Sequence, residues 1–439
     1  MVAQSWQYKS FAFAGQTNLT TRNVTSGDFF ALACEVSLPK RGREKVDVDY
    51  ATGQPGGKKA PVVGARQGGE ISIKFPLTAL RDANNYDPSS NAPGDASFTT
   101  PPCAVLLANA LGSRNPSAST TALYKRGANL WSEAYDAAAV VSSSTTTVVK
   151  LDTGLGAGIE IGSLLAIGGS AGALTQLGWV KSVSTDDVTL EEAWTGAAAN
   201  GNDILPSATV ALNGNEQIPM TFVVRGRDTS FADVIVGAVC KSIKITAESG
   251  MVPMVEMTYG AYGDMFRDDT AGGVQLPDDD YPNLKPLVGA FGGRLTVGIG
   301  AFCAEKLTFD VAIDVQPRLC HSATQGVTSV DTVNRTVSVS MSIARDSADN
   351  IDASGDDELQ AAFVGGESIP VALYVGSLAG SVFAMAAPSM SIAEEPALED
   401  VGGRVYYGLK LQPATKGDAG DGSIDDASPQ NSLFVMGWA

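Results

Sequence analysis

The feature that most limits what this chain can fold into is a period of two. In the stretch from Glu70 to Phe75, the apolar residues Ile71, Ile73 and Phe75 alternate with Ser72 and Lys74. Val337, Val339, Met341 and Ile343 alternate with Ser338, Ser340 and Ser342, and Phe309, Val311, Ile313 and Val315 do the same further upstream. Ile243 and Ile245 repeat the pattern within Lys241 to Thr246. Successive side chains of an extended strand point to opposite faces, so runs like these bury one face and wet the other. Their β-branched content fits a pleated surface. The 48 glycines and 21 prolines punctuate the runs. The reading is a mainly β chain.

Only two segments carry helix signals. Pro101 and Pro102 lead into Cys103 to Leu111, with Gly112 just past the end. Asp356, Asp357 and Glu358 open a second, running to Val364 and closed by Gly365 and Gly366.

Composition narrows the function classes. A length of 439 residues allows two to four domains at ~150 residues each. With 44% hydrophobic and 18% charged residues the chain is neither a disordered segment nor a membrane bundle. Acids outnumber bases 48 to 30, a formal net charge of -18, which excludes a protein built to grip a phosphate backbone. The single histidine, His321, removes most chemistry that needs an imidazole base or ligand. The five cysteines are odd in number and form no Cys-x-x-Cys, so they read as reduced thiols rather than a disulfide framework. Trp6, Gln7, Tyr8 and Lys9 sit where a secretion signal needs an unbroken apolar core, so no signal is expected. The most apolar stretch, Gly154 to Leu174, is broken by Glu160, so no membrane segment is expected either.

The elements come in the same order twice. The first series runs through a strand at Phe29 to Leu38, a long polar loop from Pro39 to Gly69, a strand at Ile71 to Phe75, a helix at Pro102 to Leu111, and strands at Met220 to Val224, Lys241 to Thr246 and Met254 to Tyr259. The second runs through a strand at Leu307 to Val315, a loop from Gln316 to Asn334, a strand at Val337 to Ile343, a helix at Glu358 to Val364, and strands at Ile369 to Tyr374, Ser389 to Ala393 and Gly403 to Leu411. Repetition at this scale suggests internal duplication. Between the first helix and Met220 lies a set of short strands with Gly and Asp turns, which reads as a small β-barrel inserted into the first copy. Gly263 to Lys285, rich in Asp and Pro, reads as a linker. The expected domains are therefore 1–132 with 216–262, an insert at 133–215, a linker at 263–285, and 286–439.

Several patterns suggest chemistry and fall short of it. Gly156, Gly158 and Gly162 resemble a dinucleotide fingerprint, but the spacing is one residue too long and no helix follows, so they read as turn glycines. The acidic groups Asp349, Asp352, Asp356, Asp357 and Glu358, and Asp418, Asp421, Asp425 and Asp426, do not match a calcium loop and read as solvated turns. Cys320 and His321 are adjacent, but no third orienting group can be identified. No catalytic, cofactor-binding or metal residue is assigned, and no cofactor is expected.

One charge feature departs from the rest. Between Lys40 and Arg66 seven bases (Lys40, Arg41, Arg43, Lys45, Lys58, Lys59 and Arg66) face three acids (Glu44, Asp47 and Asp49) in a chain that is acidic overall. Two readings stand: a solvated loop, or a contact arm docking on an acidic patch of another copy, with Lys40, Arg41, Arg43, Lys58, Lys59 and Arg66 as the contact residues.

The duplicated order, with Phe231 to Tyr259 partnered by Val382 to Leu411, resembles the tail tube proteins of long-tailed bacteriophages. The segment Ile159 to Leu205 is similar to small β-barrel modules embedded in phage virion proteins. The resemblance implies two tandem β-sandwich or half-barrel domains, each with one short helix. It implies a non-enzymatic structural subunit of the virion tail, made in the host cytoplasm. Copies would join edge to edge into trimeric rings of pseudo-sixfold symmetry, stacked through the long loop and meeting other tail proteins at the tube ends. DNA would pass down the lumen without specific binding, and the insert would decorate the outside. Two alternatives stay open: another virion or surface structural protein (a tail terminator, decoration or surface-layer subunit), and a β-sandwich carbohydrate-active enzyme using paired carboxylates.

Overall fold

The structure, a computed structural model, describes residues 9–16, 18–22, 29–38, 42–49, 59–67, 69–82, 101–112, 131–133, 136, 138–141, 144–169, 174–191, 196–212, 217–226, 232–268, 284–286, 294–297, 300–302, 304–320, 327–344, 358–376, 380–401, 404–414 and 432–439. Among them the chain is mainly β, with large antiparallel sheets and two short helices.

In chain order the elements are β1 (Lys9–Gly15), β2 (Phe30–Ala31), β3 (Glu35–Ser37), β4 (Gly42–Asp49), β5 (Lys59–Gln67), β6 (Glu70–Pro76), β7 (Thr78–Asp82), α1 (Pro102–Leu111) and β8 (Trp131–Glu133). There follow β9 (Val148–Lys150), β10 (Leu164–Gly168), β11 (Leu174–Ser184), β12 (Asp187–Leu190), β13 (Asp203–Leu205), β14 (Ser207–Ala211), β15 (Met220–Gly226), β16 (Ala232–Glu248), β17 (Met254–Ala261) and β18 (Met265–Asp268). The remainder is β19 (Leu284–Pro286), β20 (Arg294–Val297), β21 (Gly300–Phe302), β22 (Ala304–Leu319), β23 (Val327–Ala344), α2 (Glu358–Gly365), β24 (Ile369–Val375), β25 (Phe383–Ile392), β26 (Ala397–Val401), β27 (Arg404–Pro413) and β28 (Val435–Trp438).

Two rows of strands pair in the same order. The first is β2–β1–β15–β16–β17–β6–β3. The second is β21–β20–β24–β25–β27–β23–β22. The irregularities match too. The register slips between Met220 and Phe222 where β15 meets β16, and between Ile369 and Val371 where β24 meets β25. Each row must curl. Seven flat strands would part β2 from β3 by roughly 29 Å, yet the step from Ala31 to Glu35 spans at most about 14 Å.

The period-two segments lie where their alternation places them. Ile71, Ile73 and Phe75 of β6 are fully buried, as are Phe309 and Val311 of β22 and Ile343 of β23. They share one core with Phe11, Phe222, Phe434 and Trp438. Phe222 packs edge-on against Tyr259 at 4.8 Å between ring centres and against Phe11 at 5.2 Å. Every residue of α1 is buried, so it fills the curl as an all-round apolar helix rather than lying amphipathically on the surface. Pro102 stands in its first turn, and Gly112, at φ 68°, caps its end in the left-handed region.

Three expectations are corrected. The stretch from Pro39 to Gly69 is not all loop: within it β4 and β5 pair from Gly42↔Gln67 to Asp49↔Lys59. Val46 and Val48, alternating with Asp47 and Asp49, satisfy the same period-two rule that marks the other strands. The second loop, Gln316 to Asn334, is likewise mostly ladder, because β22 and β23 stay paired out to Leu319↔Val327. Both hairpins slip register at the same height, between Arg43 and Lys45 and between Asp314 and Val315. The segment read as a linker begins as strand, since Met265–Asp268 pairs with the start of β16.

The segment expected to be an inserted barrel contributes a separate antiparallel sheet in the order β13–β10–β11–β12–β9. Residues 136 and 138–141 lie between its two ends, with bridges Asp136↔Ile204 and Val140↔Leu151. Val140, Leu165, Val180 and Val188 form its own core. Ser207–Ala211 then returns to the main sheet, between β8 and β28. The insert is not free on all sides. Leu164, Leu177 and Trp179 share a buried cluster with Tyr374 of β24, Val382 just before β25, and Val435 of β28.

Candidate assembly surface

The two rows are joined through a strand that belongs to both. β16 is 17 residues long. Its first half pairs with β15, down to Ala238↔Met220. On the same edge its second half pairs with β22, from Ser242↔Ala312 to Glu248↔Lys306. Alternation gives this joint two chemistries. On one face Ile243↔Val311, Ile245↔Phe309 and Ala247↔Leu307 are all buried. On the other face Lys244 stands opposite Asp310 and Glu248 opposite Lys306, unlike charges in register. One rung therefore runs unbroken through Phe75, Val255, Ile245 and Phe309.

Between β15 and β22 that edge has a gap at Cys240, and a side chain fills it. Gln217 Nε2 donates to Cys240 O at 2.9 Å, and Cys240 N donates to Gln217 Oε1 at 2.8 Å. The amide thus stands in for a missing strand at the seam, meeting the rule that buried backbone groups must be paired. Burial pushes the Cys240 and Cys103 thiols and the Tyr259 hydroxyl above their ordinary values. The Cys103 sulfur lies 3.2 Å from Thr78 Oγ1.

The expected contact residues are only partly placed. Lys40, Arg41 and Lys58 lie outside the described residues. Arg43 and Arg66 are directly opposite in the β4–β5 ladder, and Lys59 is opposite Asp49. The corresponding hairpin of the second row carries an exposed ion pair, Arg318 Nη2 to Asp331 Oδ2 at 2.8 Å.

The other sequence patterns resolve into local structure. The Gly156 region is a short 3-10 turn, with Asp186 Oδ1 accepting from the backbone N–H of Gly154 at 2.8 Å and of Gly156 at 3.2 Å. Cys320 is half-buried, and His321 lies outside the described residues. Of the two acidic clusters only Glu358, at the start of α2, is described. Among the described residues no three His, Cys, Asp or Glu side chains converge as a metal site would require. No helix there is long and apolar enough to cross a membrane.

The sequence reading did not find β26. Ala397–Val401 continues β25 after a short irregular step and pairs with β27 from Ala397↔Gly408 to Val401↔Arg404. Its residues do not alternate, so periodicity gave no signal. Compared with known families and curated proteins, the chain matches no family model and no curated sequence.

Proposed function

We propose that this chain is the structural subunit of a phage tail tube. It comprises two tandem tube-like half-barrel domains, with a small β-barrel inserted into the first. Three copies form a ring of pseudo-sixfold symmetry, and rings stack into a conduit for DNA.

The observation that carries this reading is the unbroken rung Phe75–Val255–Ile245–Phe309. Two rows that pair in one order are zipped side to side, so the joint a ring needs between neighbouring units already exists once inside each chain. An edge strand that a monomer must blunt is here the means of assembly. The net charge of -18 supports the same role. A wall of the same sign as the phosphates gains no counterion-release affinity and lets the duplex slide. In this reading the β4–β5 hairpin, with its flanking Lys40, Arg41 and Lys58, docks on an acidic patch of the next ring.

Negative-stain electron microscopy of the purified protein tests the proposal. A tube subunit gives rings and long hollow filaments with a regular axial repeat. Single rings that never stack indicate a terminator, flat lattices indicate a surface-layer subunit, and monomers at every concentration exclude all three.

A further inference from the structure

The joint inside the chain has counterparts of its two strands elsewhere in the fold. β3 occupies in the first row the place that β22 occupies in the second. Glu35, Val36 and Ser37 pair with Lys74, Ile73 and Ser72, as Lys306, Leu307 and Thr308 pair with Ser342, Met341 and Ser340. One residue on, Leu38 corresponds to Phe309. β26 in turn occupies the place of the second half of β16. Ile245 pairs with Val255, and Val255 with Phe75; Leu398 pairs with Tyr407, and Tyr407 with Ile343. In the first row the rung continues from Ile245 to Phe309. In the second it stops at Leu398, because among the described residues no strand pairs with the outer edge of β26.

Burial marks both sides of this open edge as incomplete. Ile245 is fully buried, whereas its counterpart Leu398 is 59% exposed. Leu307 and Phe309 are 1% and 0% exposed, while their counterparts Val36 and Leu38 are only half-buried. An apolar residue standing open on one edge and two half-covered on the other are what remains when a joint of the β16–β22 kind is opened.

We infer that β26 of one copy pairs antiparallel with β3 of a second copy in the register of the internal joint, placing Val401 opposite Glu35, Asp400 opposite Val36, Glu399 opposite Ser37, and Leu398 opposite Leu38. This deepens the tube reading and rests on it. The contact is head-to-tail, because the two edges are different, so it closes into a ring only through a fixed rotation.

Cross-linking tests the register. Directly opposed residues carry Cβ atoms about 5 Å apart, close enough for a disulfide after a small adjustment. A chain carrying both Ser37→Cys and Glu399→Cys should oxidise to covalent multimers ending at a closed ring. Ser37→Cys with Leu398→Cys, one residue out of register, should cross-link no more than either single variant, because the two side chains point to opposite faces. Leu398→Glu should leave the circular dichroism melt of the monomer unchanged and weaken association about tenfold or more by burying an unpaired carboxylate. If the unmodified chain forms rings but the in-register pair cross-links no better than its single variants, the register is wrong and the tube reading survives. If light scattering finds only monomers at all concentrations, both fail.

Discussion

Gln217 offers the sharpest test of how the seam in β16 is held. Its amide takes both main-chain groups of Cys240, at 2.9 and 2.8 Å, in a fully buried position where β15 has ended and β22 has not begun. Replacing it with leucine keeps the volume and removes both partners. Each buried group left unpaired costs about 1–3 kcal/mol, so with two such groups Gln217→Leu should lose roughly 2–6 kcal/mol. Urea unfolding followed by circular dichroism should show a lower midpoint with an unchanged slope. Gln217→Glu adds a signature that simple packing loss lacks. An ionised carboxylate can accept from Cys240 N but cannot donate to Cys240 O, and its burial raises its folded value above the unfolded ~4.3. Such a group contributes its stability below the unfolded value and loses it as pH rises, so the deficit of this variant should shrink as pH falls from 7 toward 4. A Gln217→Leu variant within about 0.5 kcal/mol of the parent, the scatter of neutral surface substitutions, refutes the reasoning.

Other outcomes follow from the same geometry. A Cβ on Gly437 would lie 2.9 Å from Leu164 Cβ and 3.2 Å from the Trp179 ring, so Gly437→Ala should lower stability by about 1–3 kcal/mol; combining it with Leu164→Ala should cost less than the sum of the two, as a double-mutant cycle will show. The raised Cys103 and Cys240 thiols are neutral in the fold and ionise near 8.5 when unfolded, so stability should hold below pH ~8.5 and fall above it by about 1.4 kcal/mol per pH unit for each thiol. Denaturant midpoints between pH 7 and 10 measure this, and Cys240→Ala should flatten the slope. Reversing Arg41, Arg43, Lys58 and Lys59 to glutamate should stop rings from stacking while leaving single rings in negative stain; filaments of normal length count against the contact arm.

What could be read in the sequence was local. Ile71, Ile73 and Phe75 declare a half-buried strand by themselves, and Pro102 and Gly112 declare both ends of a helix. The burial of α1 on every side was legible in retrospect, since Cys103 to Leu111 holds no charge. The β4–β5 hairpin was obscured because its charges outnumber its valines, though Val46 and Val48 do alternate. The candidate site was least visible. β3 is three residues long, too short to show a period, and β26, Ala-Leu-Glu-Asp-Val, does not alternate. Register across β16 and β22 depends on residues far apart in the chain, from Glu248↔Lys306 to Ser242↔Ala312, and no single-sequence pattern encodes it.

β8 and β14 bracket the five-stranded sheet along the chain and pair with each other. Glu133 and Ser207 face each other across one rung, so the polypeptide exits and re-enters through an opening of about 5 Å. A replacement fold should therefore need only two things, ends about 5 Å apart and an apolar inner side to cover Tyr374, Val382 and Val435.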